Sequence, residues 1–210
     1  MIKTGTLIAL LVGIMLAAPA FGAATIDFST GLAGVGGTFD LSGSNASGTN
    51  IPIGALTVSG APMNNGVYVV TGTCVGSGIG PSGCLNFDTG ISSNFVNIIG
   101  AIPGLGIASE TLLTGTISSF TANGSGIQNA IGPDTKAADL LAVLGLTGTS
   151  FNFFGFSSTT SPILTNPGTG SAISTDIRND AVPEPASIVL LGTAMLFACM
   201  ALRRRSASRS

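Results

Sequence analysis

Histidine is missing from all 210 residues, and so is tryptophan; tyrosine occurs once, at Tyr68. Without histidine, neither a Ser-His-Asp nor a Cys-His catalytic arrangement can be built. Cysteines without histidine also make a poor zinc site. Aromatic platforms of the kind that stack on sugar rings have little to draw on. Charge is scarce as well, with seven Lys and Arg against nine Asp and Glu and a net charge of −2. Outside the C-terminal arginines no basic patch is present, which argues against a nucleic-acid partner. No calcium loop of the Asp-x-Asp-x-Asp-Gly kind occurs, and the run Gly34-Val35-Gly36-Gly37 lacks the lysine of a phosphate loop. No cofactor and no metal are expected.

What is present is concentrated at the two ends. Lys3 gives a positive start, Leu7 to Ala18 is an apolar run, and small residues follow at Ala20-Phe21-Gly22 and Gly22-Ala23-Ala24. That pattern predicts a secretory signal peptide over residues 1–23, cut by signal peptidase between Gly22 and Thr25. The other end reads Val182-Pro183-Glu184-Pro185-Ala186-Ser187, then an apolar run to Leu202, then Arg203-Arg204-Arg205. Pro183 and Pro185 fix φ and keep the preceding residues out of helix, so the motif stays extended. Residues 186–202 predict a single transmembrane helix about 25 Å long, a little short for a hydrocarbon core of about 30 Å. The arginines form a basic stop retained on the cytoplasmic side. Cys199 within this run reads as a small apolar residue.

The order of extended motif, apolar helix and arginine cluster resembles a PEP-CTERM sorting domain, over about the last eighth of the chain. The resemblance implies export by a Gram-negative bacterium that makes exopolysaccharide. It also implies recognition by an exosortase, a membrane-embedded cysteine protease or transpeptidase, followed by release or transfer to the cell surface. The expected path is an inner-membrane-anchored precursor, then the cell surface or extracellular matrix. Residues 181–210 would be the sorting tail.

Between the ends lies an ectodomain over residues 24–180. It carries Asp27, Asp40, Asp88, Glu110, Asp134, Asp139, Asp176 and Asp180 against Lys136 and Arg178. Eight acids against two bases make it about six charges negative, a property hidden in the whole-chain value. Glycine-rich turns separate candidate strands at residues 25–29, 38–42, 55–59, 67–73, 84–88, 95–99, 112–120, 150–157 and 172–178. Ile26/Phe28, Phe39/Leu41 and Ile173/Thr175/Ile177 alternate as half-buried strands do. The expected fold is mostly β, a sandwich of jelly-roll type. One short helix is expected within residues 133–145, capped by Asp134, ended by Gly145 and packed through Leu140, Leu141 and Leu144. In the stretch from Phe151 to Phe156 the alternation slips by one residue, so either both faces are buried or a bulge near Phe154-Gly155 resets the register.

Cys74 and Cys84 both lie in the exported part, where an oxidising compartment favours a disulfide between them. Asp88, Glu110 and Asp134 are the candidates for paired-carboxylate glycan hydrolysis, but no local motif groups them. Asn45-Ala46-Ser47 and Asn123-Gly124-Ser125 fit the N-linked sequon. Three functions are consistent with this pattern. The first is a non-enzymatic surface or matrix protein in contact with exopolysaccharide. The second is a carbohydrate-binding or adhesive module, against which the lack of Trp and the single Tyr68 count. The third is a carboxylate enzyme.

Overall fold

A computed structural model of the chain describes residues 23–151 and 154–181, and Thr193. Residues 1–22 of the signal peptide, the motif at 182–187, the apolar run at 186–202 apart from Thr193, and the arginines at 203–205 lie outside those residues. Among the described residues no helix is long and apolar enough to cross a membrane.

One compact unit spans Ala23–Val182. Its strands are β1 (Thr25–Ser29), β2 (Gly36–Ser42), β3 (Asn45–Ile53), β4 (Ala55–Ser59), β5 (Gly66–Val69), β6 (Cys74–Val75) and β7 (Pro81–Asp88). There follow β8 (Phe95–Ile102), β9 (Ile107–Gly115), β10 (Ser119–Asn123), β11 (Gly126–Gly132) and β12 (Asp134–Lys136). A helix, α1 (Ala138–Val143), precedes β13 (Phe154–Ser161) and β14 (Gly168–Asp180). The unit is therefore mostly β with one short helix. All the strand pairs are antiparallel, and the main path runs β10-β11-β13-β14-β2-β3-β7-β8-β9-β12. The long strand β14 gives one edge wholly to β13. Its other edge pairs with β2 near Gly168 to Ala172 and with β1 from Asp176 to Asp180. From β1 the branch continues through β4 to β5.

This sheet cannot be flat. Phe87 on β7 and Phe156 on β13 are four strand steps apart on the path, about 19 Å at a normal strand spacing. Their ring centroids are nevertheless 5.0 Å apart, edge to face. The sheet curls until its inner face closes on itself, and the core fills the fold. Phe28, Phe39, Phe87, Phe154, Phe156, Ile26 and Leu56 are among the fully buried side chains there. Strand pairing draws a single curled sheet, not two separately paired ones.

Several local expectations need correction. Residues 134–136 pair with β9 as a strand, so the helix begins only at Ala138, and Ala137 is its N-cap without a side-chain cap bond. Asp134 therefore caps nothing. Leu140 and Leu144 are fully buried under α1, and Leu141 packs beside them. Phe154 and Phe156 share the inner face of β13, and the β13–β14 register shifts between Thr159 and Thr160 rather than near Gly155. Asn152 and Phe153 lie outside the described residues.

Candidate functional site

The three carboxylates that the sequence offered for hydrolysis are not brought together. Asp88, at the end of β7, accepts from the Ser93 hydroxyl at 2.6 Å and from the Gly90 N–H at 2.7 Å, which ties down the turn into β8. Glu110 stands opposite Gly100, with Oε1 buried and without a hydrogen-bond partner. Asp134 stands opposite Gly115. Gly115 is five residues along β9 from Glu110, about 17 Å away at an extended rise. Glu110 and Asp134 are thus too far apart to flank one scissile bond.

Asp134 instead belongs to a buried polar cluster. Its two oxygens lie 3.1 and 2.9 Å from Lys136 Nζ, and the two side chains are 0 and 1 % exposed. Asn179, on β14, donates its Nδ2 to Asp134 Oδ2 at 2.9 Å. The ring of Phe151 lies 4.1 Å from Nζ and takes a cation–π position over it. Burial pushes the Asp134 carboxyl above its ordinary range, while Lys136 and Asn179 pull it back. Burial likewise lowers the Lys136 amine, with Asp134 opposing. Residue types two apart on a strand point to one side, so Asp134 and Lys136 were a readable pair once 134–136 was known to be a strand. Asn179, 43 residues further on, carried no such signal.

A second carboxyl pair lies on the outer face. Asp27 on β1 is paired in register with Arg178 and stands diagonal to Asp176. Partial burial, hydrogen bonding with Asp176 and repulsion from that group push Asp27 up to about 7, against the pull of Arg178. Arg178 directs its guanidinium to Asp180 at 3.2 Å. A hydrogen bond from the Thr25 hydroxyl holds the Asp180 carboxyl below its ordinary range. The alternation Asp176-x-Arg178-x-Asp180 marks one exposed face, but its meeting with Asp27 is long-range.

Cys74 and Cys84 form a disulfide with Cα atoms 5.3 Å apart. It closes a glycine-rich tip that docks by backbone bonds from Ser77, Gly78 and Ile79 to Val35, Ala33 and Leu32. Tyr68, the one candidate sugar platform, is half-buried against Gly104 and donates its hydroxyl to the Asn64 carbonyl at 2.9 Å. Its ring is a packing element in this arrangement. Among the described residues no group of three or more His, Cys, Asp or Glu is placed to hold a metal ion.

The chain continues from β14 directly into the region of the proline motif. Residues 181–205 match the PEP-CTERM protein-sorting motif. That stretch takes in Val182 to Ser187 and Arg203 to Arg205, and it marks the chain for an exosortase and hence for export and the cell surface. No curated protein and no solved structure matches the chain.

Proposed function

We propose that the protein is a non-catalytic component of the cell surface or extracellular matrix of an exopolysaccharide-producing Gram-negative bacterium, delivered there by an exosortase. The observation that carries this reading is the sorting motif at 181–205, placed immediately after the last strand of a β domain. Signal peptidase would remove residues 1–23. The helix at 186–202 would hold the precursor in the inner membrane until the motif is cut.

The ectodomain supports a structural role in three ways. It lacks histidine, its candidate carboxylates are dispersed, and its surface is anionic and rich in Ser, Thr, Asn and Gly. Low charge of one sign keeps such a domain soluble beside anionic polysaccharide without binding it tightly. We read the curled sheet as a sandwich-like shell of jelly-roll build, closed around its phenylalanines.

Replacing Pro183, Glu184 and Pro185 together by alanine tests the sorting step. Export should continue, while the form lacking only its signal peptide accumulates in the inner membrane. Unchanged release of that variant would rule out the sorting role of the motif.

A further inference from the structure

The buried cluster on β12 and β14 brings an amine and a carboxamide to one carboxyl. Lys136 Nζ and Asn179 Nδ2 each lie 2.9 Å from the same atom, Asp134 Oδ2. All three side chains are sealed from solvent: the ion pair is 0 and 1 % exposed and Asn179 is 0 % exposed. Phe151 covers Nζ from another side. Dry burial of two charges can cost more than their attraction returns, so a sealed ion pair is weak evidence of a stabilising role. A nucleophile, an acyl carbon and a proton carrier held together without water are the elements of acyl transfer.

We propose that this cluster is a self-processing site, in which Lys136 Nζ attacks Asn179 Cγ and forms an intramolecular isopeptide bond, with Asp134 as the catalytic acid–base. The lone pair of the neutral amine makes the new N–C bond. Asp134 takes a proton from Nζ and delivers one to Nδ2, the Cγ–Nδ2 bond breaks, and the nitrogen leaves as ammonia. Lysine amine plus asparagine amide become a secondary amide plus ammonia, and Asp134 is regenerated. No oxidant, metal or co-reactant enters the balance.

The observed hydrogen bonds fit this relay, since one carboxyl oxygen faces both the nucleophile and the leaving group. Burial shifts both partners toward the reactive, uncharged forms, lowering the amine and raising the acid. Exclusion of water protects the product from hydrolysis.

The consequence is mechanical. Lys136 sits on β12, at one end of the strand path, and Asn179 is next to last in β14, ahead of the sorting motif at 181–205. A load entering at the C-terminal side would reach β14 first. The bond would hand it to β12 and on to β9, so that β14 could not peel from the sheet alone.

Trypsin gives a sharp test, because Lys136 and Arg178 are the only trypsin sites within residues 24–180. The full chain should be exported, recovered, reduced, denatured and digested. With the bond in place, cleavage after Lys136 fails, residues up to Arg178 stay whole, and the peptide beginning at Asn179 remains attached with the loss of one ammonia. D134N and K136R should restore full mass and give three separate peptides: one ending at residue 136, residues 137–178, and the one beginning at Asn179. Separate peptides of full mass from the wild type overturn the proposal, and that result needs no variant to fold. Loss of ammonia without linkage also overturns it, since a succinimide at Asn179-Asp180 has the same mass change. A link that persists in D134N removes Asp134 from the catalytic role.

Discussion

The ring of Phe87 fills the space that a side chain on Gly48 would occupy. A Cβ at Gly48 would lie 2.2 Å from Phe87 Cε1 and 2.7 Å from the Ile51 terminal methyl. Gly48 stands between Phe39 on β2 and Phe87 on β7, and its lack of a side chain lets the two rings meet at 5.7 Å. Phe87 in turn meets Phe156 across the fold. Gly48→Ala should therefore overpack the contact that closes the curl. A loss of about 1–3 kcal/mol is expected from such overpacking, read as a lower urea midpoint with an unchanged slope.

This contact also shows why β3 could not be found from the sequence. Asn45 to Asn50 is polar or glycine apart from Ala46 and offers no alternation of large apolar residues, because its neighbours supply the bulk from either side. Strands that bury their own side chains were legible. β1 and β4 run over residues 25–29 and 55–59, the spans expected for them. Asp134 to Lys136 failed for the opposite reason. Local propensity favours a helix there, but pairing with β9 and the contact with Asn179 are long-range and override it. The disulfide was readable because two nearby cysteines in an exported segment leave few alternatives. The Asp27–Asp176 pair was not readable, since it joins the first strand to the last.

Reducing the Cys74–Cys84 bond should lower the melting temperature without unfolding the domain. The bond spans 10 residues, and closing so short a loop contributes about 3 kcal/mol on the chain-entropy account. The sheet core lies elsewhere, around Phe28, Phe39 and Phe87. Cys74→Ser with Cys84→Ser should keep the far-ultraviolet spectrum of the parent while melting earlier. Loss of that spectrum at room temperature would show that the tip is part of the folding core.

The exported domain should show no turnover of glycans, esters or peptides, because Asp88, Glu110 and Asp134 are held apart in a turn, along β9 and in the interior. The most demanding check is an assay of the domain on a panel of oligosaccharides, with Asp27→Asn and Asp176→Asn tested beside it. Turnover abolished by either change would move the outer carboxyl pair into a catalytic role and displace the surface-protein reading.

Asp27 also predicts the sign of the pH dependence of stability. Its folded carboxyl titrates at about 7, raised from 3.8 chiefly by burial and then by Asp176. Between those two values the folded chain holds a proton that the unfolded chain has lost. Stability must then fall as pH rises through that window, where the unfolded state binds fewer protons. Below it both states are protonated, and above it the full destabilisation is present. Asp27→Asn keeps the shape and removes the charge, so it should raise the melting temperature most above pH 7 and very little near pH 4. Thermal melts of parent and variant across pH 4 to 8 measure the difference directly. A gap that stayed constant with pH would mean that Asp27 is ionised throughout, and that Arg178 outweighs burial and Asp176 in setting its charge.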